Sequence, residues 1–161
     1  MAGPGPNQSE VTVDIVHGDT QGQSLPVFGL AHMLGVELLP RIRNWKDLTF
    51  YRPGATVKYQ HIDPLFGNLE KDVINWRLIE NHLQDLMRVV LSIREGRLSS
   101  AALLRRLGNE SKRNRIYQAY RELGRVMRTI VLLRVLSEPE LRESIQAMTN
   151  KVEAFPSSAT G

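Results

Sequence analysis

The chain has 161 residues, 42% hydrophobic and 24% charged, with no cysteine and a net charge of +4, which suits one packed domain rather than two. The lack of cysteine excludes disulfides, thiol catalysis and cysteine-ligated zinc. No stretch approaches the roughly 18 apolar residues of a membrane span, and Met1-Ala2-Gly3-Pro4-Gly5-Pro6 has no secretory-signal character, so a cytoplasmic protein without a membrane partner is expected.

Residues 1–10 are Gly-, Pro- and polar-rich and read as a disordered lead. Val11, Val13 and Ile15 alternate with Thr12 and Asp14, a short strand at period two. His17-Gly18-Asp19-Thr20-Gln21-Gly22-Gln23 follows as a loop. Ser24 then caps a short apolar helix from Leu25 to about Leu34, with Pro26 in its first turn and Gly35 closing it. Val36 to Ile42 reads as a second strand. This order is a βαβ unit with parallel strands, and Asp19 falls at the carboxyl end of the first, where sites gather in such sheets.

Pro53-Gly54, Asp63-Pro64 and Gly67-Asn68 mark turns between residues 44 and 75. Trp76, Ile79, Leu83, Leu86, Val90 and Ile93 then form one helical stripe that Gly96 ends. Ser99 or Ser100 starts a shorter helix to Leu107. The longest helix spans about 111–136, with Ile116, Tyr120, Leu123, Met127 and Ile130 on its apolar face and Arg121, Arg125 and Arg128 sharing another. Ser137 and Glu140 form a capping box for a last helix through Leu141, Ile145 and Met148, and residues 156–161 are a frayed tail.

Charge is uneven. Residues 99–135 hold nine basic residues (Arg105, Arg106, Lys112, Arg113, Arg115, Arg121, Arg125, Arg128, Arg134) against Glu110 and Glu122, a net +7 that leaves −3 elsewhere. Such a block serves either as a contact for a polyanion or as a solvated helix face. Arg41-Ile42-Arg43-Asn44-Trp45-Lys46 mixes cations with an aromatic, as nucleic-acid sites do, and is equally a strand end with a solvated rim. Trp45 and Trp76 read as core. His17 and Asp19 are weak candidates for metal or proton chemistry, and Glu153 alone reads as surface charge. No Gly-rich phosphate loop, His-Glu-x-x-His helix or nucleophile elbow is present.

A set of motifs sharpens this reading. His17 to Gln23, Pro26-Val27-Phe28-Gly29-Leu30, Pro40 to Leu48, Tyr59-Gln60-His61-Ile62-Asp63, Val90-Leu91-Ser92-Ile93, Tyr117 to Arg125 and Thr149 to Phe155 resemble, in order and spacing, the transposon-three (Tn-three) family of transposases. The resemblance covers residues 11–155. It implies an α+β, mostly helical fragment of an RNase H-like catalytic domain, with a long helical insertion at about 70–136 between the second and third catalytic carboxylates. In this reading Asp19 is the second acid and Glu153 the third, 134 positions apart, and both are metal ligands. Two divalent ions bridged by carboxylates activate a hydroxyl and stabilise the leaving oxygen of a phosphoryl displacement, and magnesium prefers such hard oxygens.

The implied partners are DNA (transposon ends and target) and either an intact transposase or a second copy. Arg41, Arg43, Lys46, Arg113, Arg115, Arg121, Arg125 and Arg128 would lie along phosphates, which fixes position without reading sequence. The family's first aspartate lies upstream of Val11. Asp14 does not replace it, because five residues of strand separate it from Asp19 by about 16 Å. Gly18 and Gln21 stand where the family commonly has Thr and His, and Pro156-Ser157 replaces an Asn-Gly continuation. The expectation is a truncated transposase fragment, inactive alone, nucleoid-associated when DNA-bound. Its alternatives are a non-catalytic DNA-binding module that modulates an intact transposase, and a gene remnant.

Overall fold

The computed structural model describes residues 25–99, 101–103 and 114–154, the side chains of 148, 149 and 151–154 excepted. Four helices carry it: α1 (Leu25–Met33), α2 (Trp76–Arg94), α3 (Arg115–Ser137) and α4 (Pro139–Ala154). The longest, α3, has 23 residues, about 34 Å of helix, and the others pack around it.

α1 is apolar around its whole circumference, and Pro26 through Ala31 are all buried. Such a helix needs cover on every side. It lies unusually close to α3 because two glycines face each other's backbones. A Cβ on Gly124 would fall on the Leu25 carbonyl, and one on Gly29 would meet the Tyr120 carbonyl and sit 3.1 Å from the Gly124 nitrogen. Gly35, at φ +76°, closes α1 as expected. Above this crossing, Phe28, Leu30, Leu86, Val90, Ala119 and Tyr120 form a buried cluster shared by α1, α2 and α3. The Tyr120 hydroxyl donates to the Leu86 carbonyl at 2.8 Å, and burial raises its pKa.

α2 begins where Asn75 accepts from the Leu78 N–H at 3.1 Å, and ends at Glu95-Gly96 with Gly96 at φ +74°. Only part of its expected stripe is core. Ile79, Leu86 and Val90 are buried, whereas Trp76 and Leu83 are 48% and 44% exposed. The Trp76 ring lies on the surface with its indole N–H donating to the Pro53 carbonyl at 2.8 Å, and Trp45 is 40% exposed, so neither tryptophan is core. Of the shorter helix, 101–103 are helical, capped by Ser99 through a 3.4 Å bond from the Ala102 N–H.

Asn114 caps α3, accepting from the Ile116 N–H at 2.9 Å. The buried set on α3 is wider than one stripe, including Glu122, Arg125, Thr129, Val131, Leu132 and Val135, while Ile130 is 43% exposed. The expected apolar face was too narrow because α3 is central: α1 covers one side, α2 a second, and the 50–74 segment lies over its basic side. α4 follows after one residue, Glu138. The expected capping box does not form. The Ser137 hydroxyl donates back to the Leu133 and Arg134 carbonyls, both at 3.2 Å, because Ser137 is still the last residue of α3. Pro139 opens α4 as expected. Arg142 reaches back to the Val135 and Leu136 carbonyls at 3.3 and 2.9 Å, satisfying acceptors that α3 leaves open.

The chain is thus mostly helical. Strand pairing among the described residues is limited to two parallel bridges, Phe50 with Phe66 and Arg52 with Val73. The expected first strand and the Ser24 cap lie outside the described residues. The expected second strand, 36–42, has no assigned secondary structure and alternates in burial, with Leu38 and Ile42 at 5% and 6%. It has no ladder partner among the described residues and is held by packing on α3, where Ile42 joins Phe50, Val131, Leu132, Val135 and Ile145.

Candidate nucleic-acid interface

The segment that follows residues 36–42 is built to present cations. Asn44 is extended, and its side chain accepts from the Lys46 N–H at 3.1 Å, closing a single 3-10 turn at Trp45–Asp47. Ile42 on one side is buried and Leu48 on the other packs against the same cluster. With both ends anchored, the turn turns Arg43, Trp45 and Lys46 outward, all exposed. An aromatic between two cations is the combination that stacks a base while holding the backbone phosphates beside it. Arg41 is half-buried, its Nε shielded from solvent without an acceptor among the described residues.

Arg121, Arg125 and Arg128 do share a face of α3, and that face meets the loop segment over it. Arg125 is only 8% exposed. Its guanidinium donates to the Lys71 carbonyl at 3.2 Å, lies 3.4 Å from the Glu122 carboxylate, and sits 4.7 Å from the centre of the Tyr51 ring. Charge, hydrogen bond and ring are all internal, so Arg125 holds the 50–74 segment to α3. Glu122 completes the clamp by accepting the Asn75 N–H at 2.9 Å. Arg128 lies 5.8 Å from the same ring, and burial lowers its pKa, partly offset by Tyr51. It has no carboxylate partner among the described residues. Arg121 is half-buried, and Arg115 is exposed at the start of α3.

Arg52 was not singled out by its sequence context, yet it organises the overlying segment. It is 4% exposed, donates to the Val57 carbonyl at 2.7 Å and to Asp63, and stacks 5.2 Å from the Phe66 ring. Asp63 also accepts from the Tyr59 N–H at 3.0 Å, and these bonds hold its carboxyl below the ordinary value of 3.8. Arg134 is tied to Glu37 and Glu138 on the opposite side of α3, which raises its pKa. A cleft of about 340 Å³ beside that pair is lined mainly by apolar groups such as Phe28, Leu38, Met127 and Val131.

Asp19 and Arg113 lie outside the described residues. Glu153 lies in the last turn of α4, and its side chain is outside the description. Among the described residues no three His, Asp or Glu side chains cluster as a metal site would require, and no helix is long and apolar enough to cross a membrane.

Among the described residues the exposed Arg43-Asn44-Trp45-Lys46 turn and the arginine-bearing central helix are the concentrations of cationic side chains. Comparison with known proteins is more specific. The Tn3 transposase DDE domain matches residues 3–159, and the chain belongs to that family. It is 32% identical over 92% of its length to the transposase for transposon Tn1546 of Enterococcus faecium. It is 34% identical over the same share to the transposases for Tn21 of Escherichia coli and Tn501 of Pseudomonas aeruginosa. In each case the chain spans about 15% of the relative's length. No solved structure matches it.

Proposed function

We propose that the chain is a segment of the catalytic domain of a transposase for replicative DNA transposition, a metal-dependent DNA strand cleavage and transfer. The family match across 3–159, with transposases as the relatives, carries this reading. Asp19 and Glu153 are the proposed carboxylate ligands of a divalent metal, magnesium by the hardness of their oxygens, within an RNase H-like core. When bound, the metal supplies charge stabilisation and an activated oxygen nucleophile for phosphoryl displacement. The protein's own part is to hold DNA. Arg43, Trp45 and Lys46 are the proposed contact, with Arg41, Arg113, Arg115, Arg121 and Arg128 extending it, while Arg125 keeps the supporting segment in place.

The chain alone is proposed to be inactive, because the family's first aspartate falls outside it. The non-catalytic module remains a second reading, favoured by one observation: among the described residues, Asn44, Ile42 and Leu48 hold the Arg43-Trp45-Lys46 turn.

Fluorescence anisotropy on labelled duplex DNA tests the shared core of both readings. The expected result is salt-dependent binding whose log–log slope falls by about 0.9 for each phosphate contact removed in Arg43→Ala and Lys46→Ala. No binding at low salt would overturn both. Strand cleavage by the chain with magnesium, abolished by Asp19→Asn or Glu153→Gln, would overturn the proposed inactivity.

A further inference from the structure

α2 has a second apolar face. Beside the buried Ile79, Leu86 and Val90, the side chains of Leu83, Met87 and Leu91 are 44%, 51% and 53% exposed. At 100° per residue these three share, with Glu80 and Arg94, an arc of about 80°. Glu80 and Arg94 are both exposed, and the side chain of neither is hydrogen-bonded or ion-paired to another of the described residues.

The order along this face is symmetrical about Met87. Leu83 and Leu91 stand four places to either side, and Glu80 and Arg94 seven places to either side, with opposite charge. A twofold interface requires this arrangement, since each residue must meet its mirror-numbered counterpart. We propose that this face of α2 is a homodimer interface in which two copies pack their α2 helices antiparallel.

Met87 then meets the partner's Met87 on the axis, Leu83 meets the partner's Leu91, and Glu80 pairs with the partner's Arg94 at both ends. A parallel pairing would set Glu80 against the partner's Glu80 and Arg94 against the partner's Arg94, so charge selects the antiparallel form. Seven residues from the axis is about 10.5 Å of helix, a span over which helices crossing at roughly 20° stay in contact. Arg77 has no helical counterpart in this register, because its mirror position, 97, lies beyond the end of α2 at Arg94. The contact is independent of the DNA reading.

Sedimentation equilibrium of the full chain tests it. The expected result is a concentration-dependent dimer. Glu80→Arg and Arg94→Glu, each with helicity unchanged by circular dichroism, should each weaken it at least about tenfold by like-charge apposition. An equimolar mixture of the two variants should dimerise again, because both ion pairs in the mixed dimer are then opposite in sign. As the chain has no cysteine, Met87→Cys should cross-link on oxidation, whereas Arg88→Cys, 75% exposed on the neighbouring face, should not. A chain that stays monomeric at hundreds of micromolar overturns the proposal. So does a mixture no more dimeric than either variant alone.

Discussion

Gly124→Ala isolates the packing on which the domain depends. The added methyl would coincide with the Leu25 carbonyl, which is backbone and cannot rotate aside. α1 must therefore move off α3, loosening Val27, Phe28 and Leu30, all buried. Overpacking of this kind costs about 1–3 kcal/mol. Burying three such side chains is worth about 1.5–3 kcal/mol each, so losing a quarter of it adds about 1–2 kcal/mol. Against this, alanine in a helix interior gains about 1 kcal/mol over glycine. The net expectation is a loss of about 2.5 kcal/mol. With a urea slope of about 2 kcal/mol/M, the unfolding midpoint should fall by about 1.2 M with unchanged slope. Gly29→Ala should behave alike, and the double variant should cost less than the sum, since one displacement of α1 relieves both clashes. A Gly124→Ala midpoint equal to or above the parent's would refute the close crossing.

Other consequences follow from the clamp and the loop segment. Glu122→Ala removes one partner of a pair whose side chains are 9% and 10% exposed and also strands the Asn75 N–H, so a loss of about 3–5 kcal/mol is expected by urea titration; a change under about 1 kcal/mol would contradict the clamp. Tyr120→Phe removes the bond to the Leu86 carbonyl and should cost about 0.5–1.5 kcal/mol, readable as a small midpoint shift. Because the folded Asp63 carboxyl titrates below its ordinary 3.8, its contribution is complete above that value and is lost as pH falls through the folded value. The parent should therefore lose stability more steeply than Asp63→Asn on acidification below about pH 4, and parallel profiles would show that the Arg52 contact is idle.

Much of the helical framework was legible from local rules. Gly35 and Gly96 stop α1 and α2 with positive φ, and Pro139 opens α4, because these positions depend on the chain's own backbone. What failed depended on neighbours. Trp76 and Leu83 fit a helical stripe yet lie at its edge, where α3 does not reach. Ser137 and Glu140 have capping-box spacing, but α3 runs through Ser137 and takes its hydroxyl. The arginine face of α3 read as a solvated or phosphate-binding surface because periodicity cannot show what lies over a face. Tyr51 and the Lys71 carbonyl, more than fifty positions upstream of Arg125, turn that arginine inward. Within the Tyr117–Arg125 motif, Tyr120, Glu122, Gly124 and Arg125 each tie α3 to a different segment, so that part of the resemblance has a packing explanation. The Arg43-Trp45-Lys46 cluster was visible as composition; its outward presentation came from the Asn44 turn.

The central claim, that Asp19 and Glu153 together hold a divalent metal, is tested most directly by titrating manganese into the isotopically labelled chain and following paramagnetic broadening of backbone amides. The account predicts that amides around Asp19 and around Glu153 broaden together, that magnesium reverses the effect, and that Asp19→Ala abolishes it at both places. Broadening near Glu153 that survives Asp19→Ala, or that scatters over other surface acids, would contradict it.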